Sequence, residues 1–415
     1  MNPDHLHRLV KLLADSGEAA TLDDAHAAFA RYGLIVDIGS TGQLNEAAQI
    51  QALTVINCAA RSFMGNVALR GRIDVPLTVR GFTGTTLADF IQRLAPDRPA
   101  TPGPWPVVAL NGADDPSAIR PWACGSTFGL GPVLTAEDAS VAASVAAAGL
   151  AVSEAFSVMR GDNPYAGRRH VSLDLCQVVR PPHAKDTPLS GNLQGLWLVG
   201  LGHLGQAYAW VLGFLPPSNK EIVLQDTDII TASTLSTSLI SFPPDIGMAK
   251  TTVVENWLTA LGWHVRVVAR DFDAQQRCQQ DDPRIALFGV DNAVARRAIE
   301  GAGFEHVVDV GLGAGYRDFR AVRVRSFPGS SFASEIWASE PAQPAAQAPA
   351  YLNLARETGD QCGVTTLATR AVGAPFVGAV AAGLAITAAL TASAGLPLAS
   401  VIDLNLRDPR RVLTA

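Results

Sequence analysis

The stretch Gly195–Asp228, GLWLVGLGHLGQAYAWVLGFLPPSNKEIVLQDTD, constrains this chain more than any other. An apolar run, Leu196–Val199, leads into Gly200-x-Gly202-x-x-Gly205. A helical stretch follows, then a second apolar run, Ile222–Leu224, and the acids Asp226 and Asp228. This is the strand, glycine turn, helix, strand, acid order of a nucleotide-binding Rossmann unit. Gly200 permits a tight turn, Gly202 lets a phosphate approach the backbone, and Gly205 lets helix and strand pack closely. The helix N-terminus behind the turn offers amide N–H groups and the positive end of a dipole to an anion. Asp226, about 20 residues past the last glycine, is placed to accept ribose hydroxyls. Without a ligand, the same pattern would be a glycine-rich turn in a parallel sheet.

With 415 residues the chain exceeds one ordinary core, so two or three domains are expected. It is 48% hydrophobic and 17% charged, enough to fill a large core and leave apolar surface for a homodimer. A net charge of −6 and the lack of any basic run argue against nucleic acid as a partner. Met1–Glu18 is polar and holds no apolar core segment, so no secretion signal is expected. Ala371–Ala394 approaches the length of a membrane span, but it is rich in Gly and Ala, contains Pro375 and closes an α/β domain. A buried packing helix is the expectation, with no membrane partner. The cysteines, Cys58, Cys124, Cys176, Cys278 and Cys362, form no CxxC pair, and the histidines form no HExxH pair. That pattern disfavours a zinc knuckle or disulfide framework and suits a reducing cytoplasm. His203, inside the glycine turn, is expected as an exposed turn residue, with phosphate contact the alternative.

Past Asp228 the chain alternates: Met248–Leu261 helix, His264–Ala269 strand, Ile285–Val290 strand, Val294–Ala302 helix, Val307–Val310 strand. Such alternation predicts a parallel sheet covered by helices on both faces. The first half repeats the outline with Gly33–Ile38, Asn45–Phe63, Asn66–Leu69, Val107–Leu110 and the Ala-rich Val141–Phe156. There, Asn111-Gly112 stands where Asp291 stands later. It shows only Gly39-Ser-Thr-Gly42 and no counterpart of Asp226, so it reads as a degenerate copy. Residues 1–180 are assigned to that copy, 181–193 to a Pro-containing linker, and 194–415 to the intact domain. A crossover spans about 328–362 and includes the Pro/Ala-rich 341–349.

Taken together, the landmarks Gly200/Gly202/Gly205, Asp226-Thr-Asp228, Asp245-Ile-Gly247-Met-Ala-Lys250 and Asp291-Asn-Ala-Val-Ala-Arg296 resemble the ubiquitin-activating-enzyme superfamily, which includes the ThiF and MoeB adenylyltransferases. The likeness runs from about Leu193 to Leu390 and takes in the Pro375-Phe-Val-Gly378 turn into the closing helix. An inactive adenylation domain fused before an active one also resembles the arrangement of ubiquitin-activating enzymes.

The resemblance implies an α/β, Rossmann-like ThiF-type adenylation domain that binds ATP and Mg²⁺. It would adenylate the C-terminus of a ubiquitin-like β-grasp protein and pass it through a cysteine to a conjugating-enzyme-like partner. Gly200, Gly202, Gly205, Asp226, Asp228 and Lys250 would bind the nucleotide, and Asp291 would act with Mg²⁺. Attack of a carboxylate on a phosphate needs its negative charge neutralised, which explains the metal and the lysine. Cys362, in Gly359-Asp-Gln-Cys362-Gly363 before the closing helix, is the candidate nucleophile, expected in an accessible turn at a helix start. Cys58 and Cys278 are expected on helices in structural roles, and Cys124 is a distant second candidate.

One departure stands out. The family's Asn-x-Asn-Arg-Gln element is replaced by Thr234-Leu-Ser236-Thr237-Ser238, so its triphosphate-binding arginine is missing. Arg8, Arg61 or a partner subunit would have to supply the cation. The gap keeps open a scaffold reading, in which the chain binds partner proteins without catalysis. A nicotinamide oxidoreductase is a third reading, since NAD also suits GxGxxG with a following acid. The Ala-, Gly-, Pro- and Arg-rich composition points to a GC-rich bacterial source. Bacterial proteins of this kind resemble components of ubiquitin-like conjugation systems in antiphage defence operons. Activation of a sulfur carrier is disfavoured because those enzymes are shorter and lack a fused copy.

Overall fold

A computed structural model describes residues 6–99, 101–110, 115–185, 189, 193–338, 348–359 and 361–415, with only the backbone at 361–363. The first half opens with two short helices, α1 (Val10–Asp15) and α2 (Leu22–Phe29). It continues β1 (Leu34–Asp37), α3 (Glu46–Ser62), β2 (Val67–Arg70), α4 (Leu87–Leu94), β3 (Val107–Ala109), β4 (Pro121–Cys124), β5 (Thr127–Leu130), α5 (Val141–Arg160), β6 (Val171–Asp174) and α6 (Leu175–Val178). The second half begins β7 (Leu196–Val199), α7 (His203–Phe214), β8 (Glu221–Gln225), α8 (Ala232–Leu235), α9 (Lys250–Ala260), β9 (His264–Val268), β10 (Ile285–Phe288), α10 (Ala293–Arg297) and β11 (His306–Leu312). It ends β12 (Ala321–Phe327), α11 (Ala333–Ile336), α12 (Pro349–Thr358), α13 (Gln361–Thr369), α14 (Pro375–Ser393), β13 (Val401–Asn405) and β14 (Val412–Thr414).

The second half forms one sheet ordered β14-β13-β12-β11-β10-β7-β8-β9. From β9 to β11 every pairing is parallel, and from β11 to β14 every pairing is antiparallel. All four residues of β7 are buried, as helices on both faces require of a central parallel strand. The first half repeats the plan. β1 lies between parallel partners β2 and β3, as β7 lies between β8 and β10. Ile119, just ahead of β4, bridges Val108 of β3 in the parallel sense, and β4-β5-β6 then continue antiparallel. The α/β class with a degenerate preceding copy is thus visible in strand order.

The copy's own turn is closed. A Cβ on Gly42 would lie 2.5 Å from the Arg72 carbonyl oxygen, and one on Gly71 would lie 2.3 Å from the Gly39 carbonyl oxygen. Residues 71–75 therefore cover the backbone that a phosphate would need. Asp37 turns inward, accepting from the Gly39 N–H at 2.9 Å and pairing with Arg70 at 3.6 Å. Asn111-Gly112 lies outside the described residues, as do 339–347 of the crossover and 186–188 and 190–192 of the 181–193 linker.

The two halves share one core. α5 and α14 are long and apolar enough to cross a membrane, yet both are buried against each other and their sheets. Their close contact uses small residues: a Cβ on Gly149 would come within 2.7 Å of the Phe376 carbonyl oxygen. Farther along the junction, Phe82 and Phe90 of the first half pack on Trp210, Phe214 and Trp257 of the second. Phe82 lies 5.7 Å from Trp210, a spacing worth about 0.5–1.5 kcal/mol per aromatic pair beyond area burial. Arg320, buried, donates to Ser157 and Asp162 across the same boundary.

Three local expectations change. Helix α9 starts at Lys250, because Ile230 N–H donates to the Met248 carbonyl and Ala249 bridges Ile229, holding that pair extended. Val294–Ala302 is broken into α10 and a separate 3-10 turn, Glu300–Ala302. Cys278 is in a loop, its N–H donating to the Ala302 carbonyl at 2.8 Å, and burial pushes its thiol up to about 11. Cys58 does lie on α3, fully buried, with its thiol pushed up to about 12.

Candidate functional site

The glycine turn joins β7 to α7 at the carboxyl ends of the parallel strands, where α/β sheets bind ligands. Gly200 has φ +82°, the left-handed region that favours glycine, and a Cβ there would meet Val290 at 2.8 Å. A Cβ on Gly205 would lie 2.1 Å from the Gly200 carbonyl oxygen, so only glycine lets α7 approach the turn. Gly202 differs: the nearest heavy atom to its missing Cβ is the Lys250 Nζ, at 3.9 Å. The turn is therefore packed at both ends and open in the middle, beneath an ammonium group.

Asp226 and Asp228 build the wall beside it. The Asp226 carboxylate accepts from the Leu201 N–H at 2.5 Å and from the Asp228 N–H at 2.7 Å, tying the end of β8 to the glycine turn. Asp228 holds Lys250: Nζ donates to Oδ2 at 2.6 Å, and the Lys250 N–H donates to the Asp228 carbonyl at 2.9 Å. The Asp228 side chain is 69% exposed, so this ion pair contributes at most about 1 kcal/mol. It aims the lysine without locking it, and an incoming phosphate can compete for it.

Asp291 follows the end of β10 and is exposed, with no hydrogen bond or ion pair among the described residues. Asn292 beside it caps α10, its side chain accepting from the Ala295 N–H at 2.8 Å. Among the described residues no group of three or more His, Cys, Asp or Glu could hold a metal alone. A single free carboxylate is nonetheless a fitting donor for Mg²⁺, which is commonly bound by one or two carboxylates together with substrate phosphates.

Segment 234–238, without the family arginine, is reached by both arginines considered for its replacement. Arg8 donates through Nε to Ser233 Oγ at 3.1 Å and through a terminal nitrogen to the Ala371 carbonyl at 3.2 Å. Its N–H donates to Ser236 Oγ at 3.3 Å. Arg61 is buried and donates to the carbonyls of Leu235, Leu239 and Ser241 and to Asn57 Oδ1. Burial lowers its pKa to about 10. Its donors are consumed in bracing the segment, whereas Arg8 is only partly buried beside it.

His203 is not an exposed turn residue. It begins α7 and is wedged against α14, where a Cβ on Gly378 would lie 2.5 Å from its Nε2. That nitrogen is buried with no hydrogen-bond partner, and burial lowers the histidine pKa to about 4, with Arg8 adding to the shift. Sequence reasoning also missed an ion pair behind the site. Arg296 Nε donates to buried Asp309 at 2.8 Å, and its NH2 group donates to the Val310 carbonyl at 3.2 Å. A lone acid in the apolar run Val307–Val310 was the signal for such a partner. The backbone of Cys362 falls in the first turn of α13, not in a loop, and its side chain lies outside the described residues. Cys124 ends β4 and is exposed.

Two family models cover most of the chain: the BilD N-terminal domain matches residues 33–175, and the BilD C-terminal domain matches residues 193–396. A curated relative from Collimonas sp. (strain OK412), "Bacterial E1-like protein BilD", is 36% identical over 409 residues, spanning 92% of this chain and 88% of its own. The chain belongs to the BilD family. Among solved structures, the tRNA N6-threonylcarbamoyladenosine dehydratase TcdA of E. coli is similar at TM-score 0.32 and 15% identity, over 49% of this chain and 86% of its own. MccB of E. coli with ATP is similar at TM-score 0.35 and 12% identity, over 72% and 94%. Likeness at that level says nothing about ligands or chemistry; membership in the BilD family rests on the two domains and the relative.

Proposed function

We propose that this BilD-family chain is an E1-like adenylating enzyme that activates the C-terminus of a ubiquitin-like, β-grasp protein with ATP. The observation that carries the reading is the glycine turn, closed at Gly200 and Gly205 but open at Gly202 under Lys250. In this reading the partner's carboxylate attacks the α-phosphorus, and the bond to the pyrophosphate breaks as the acyl-adenylate forms. N–H groups of the turn and Lys250 would hold phosphate oxygens. Asp226 would present its carboxylate to the ribose, and Asp228 would release Lys250 to the nucleotide. Asp291 would hold Mg²⁺, which supplies charge neutralisation at the phosphates when bound. Arg8 would bring the guanidinium that segment 234–238 lacks. Residues 1–180 would then serve as a closed, structural copy and 194–415 as the catalytic domain. A thiolate at Cys362 attacking the acyl carbonyl, with AMP leaving, would give a thioester for a conjugating-enzyme-like partner. A bacterial, cytoplasmic conjugation pathway of antiphage defence is the setting that fits the family resemblance.

The test is ATP–pyrophosphate exchange with a β-grasp protein encoded beside the gene. Exchange is expected in the wild type and in Cys362→Ala, while the reducible adduct forms only in the wild type. No exchange in either would favour the scaffold reading, which the missing family arginine motivates. An adduct persisting in the variant would reassign the nucleophile.

A further inference from the structure

The antiparallel extension of the sheet has two unlike faces. Val308, Val310, Val322, Val324, Ile402 and Leu404 are buried, and helix α14 contacts β11 and β12 from that side. Directly paired residues share a face, so the other side carries one row of Asp309 and Arg325 and a second of Gly311, Arg323, Asp403 and Leu413. Both carboxylates on this face are already engaged. Asp309 accepts from Arg296, and Asp403 accepts from Arg323 in two bonds of 2.6 and 2.7 Å. Arg325, half-buried between them, has no hydrogen bond or ion pair among the described residues. Its guanidinium donors are left to solvent or to an acceptor brought by another molecule.

Its surroundings say what that acceptor is. Gly311, one row along, leaves a notch in which the nearest atom to a Cβ would be a terminal nitrogen of Arg296, at 3.8 Å. Three arginines face two aspartates here, an excess of one positive charge (3 − 2 = 1) that matches an anion. The strand also leads to the nucleotide turn. Phe288, the last residue of β10, pairs with Asp309, so Val310–Leu312 run past the strand end beside Gly289–Asp291. Arg325 shares a row with Asp309, Phe288 and Val199, so the glycine turn that follows Val199 is three strand spacings away, roughly 14 Å or four residues of extended chain.

We propose that Arg325 is a specificity-determining residue that binds an acidic side chain of the partner protein, within about five residues of the C-terminus being activated. This rests on the activation reading above for the identity of the partner. An extended tail crossing the Gly311 notch places its end at the glycine turn and its acidic residue over Arg325. A bidentate guanidinium–carboxylate contact gives both affinity and register.

The experiment uses the full chain and three fluorescein-labelled ten-residue peptides ending in Gly-Gly, alike except for Glu, Gln or Lys at the fourth position from the end. Fluorescence anisotropy is expected to show the Glu peptide bound about tenfold more tightly by the wild type. Arg325→Gln should remove that difference, and Arg325→Glu should invert it toward a Lys peptide. Because Arg325 has no hydrogen bond or ion pair among the described residues, Arg325→Gln should melt as the wild type does. Equal binding of the Glu and Gln peptides, no binding of either, or an unchanged preference in Arg325→Glu would overturn the proposal. ATP–pyrophosphate exchange measured alongside separates the two ideas. Discrimination without exchange sinks the activation reading alone, and exchange without discrimination sinks only the role of Arg325.

Discussion

Gly202 and Gly205 are three residues apart, yet the structure predicts opposite consequences for adding a side chain to each. At Gly205 a single methyl would fall 2.1 Å from the Gly200 carbonyl oxygen, backbone that cannot step aside without moving α7. Overpacking of this kind costs about 1–3 kcal/mol and should appear as a lowered Tm. At Gly202 the missing side chain has open space, bounded only by the Lys250 Nζ at 3.9 Å. Gly202→Val should therefore fold normally while filling the place assigned to phosphate. Losing even one charge-assisted hydrogen bond at about 1.5–3 kcal/mol should weaken ATP–Mg²⁺ binding by about tenfold or more. Isothermal titration calorimetry gives the affinity, and differential scanning calorimetry gives Tm. Gly202→Val with unchanged Tm and unchanged ATP affinity would refute the argument, leaving the turn a purely structural device.

Two further outcomes follow from the same geometry. Asp291→Asn should abolish the Mg²⁺ dependence of nucleotide binding without lowering Tm, since its carboxylate bonds to nothing among the described residues; titrating ATP with and without Mg²⁺ checks this. Stability should fall as pH drops from about 6.5 to 4, because His7 and His203 both titrate at about 4 in the fold, through burial, against 6.5 unfolded. Over that window the unfolded chain binds more protons, so each histidine stabilises the fold by less as pH falls, on the order of 3 kcal/mol apiece by pH 4. Denaturant melts at stepped pH should show this slope, and His203→Gln should reduce it by about half, leaving the share of His7; an unaltered slope would remove His203 from the explanation.

What was legible in the sequence is what local backbone chemistry encodes. Gly200, Gly202 and Gly205 between two apolar runs specify a strand, a turn and a helix within some 30 residues, because Gly200 takes a left-handed φ, Gly205 lets the helix approach the turn, and Gly202 leaves its middle open. The repeated strand order could be read the same way, and so could the buried character of α14, from apolar runs and a Pro at a helix start. Cys278 escaped, since a short polar run of helix-forming residues carries no record of the loop that tertiary packing imposes. His203 escaped as well: its burial comes from α14, 175 residues later (378 − 203), which no pattern near the turn records.

The sequence by itself determined the glycine turn, the acids behind it and the absence of an arginine at 234–238. Only the tertiary structure decided what stands near that gap. Arg8 reaches Ser233 across 225 residues of chain, and Arg61 reaches Leu235 across 174. Contacts at such separations are fixed by how two α/β halves share the α5–α14 core, and residue periodicity, which extends over a turn or two of helix, holds no information about them.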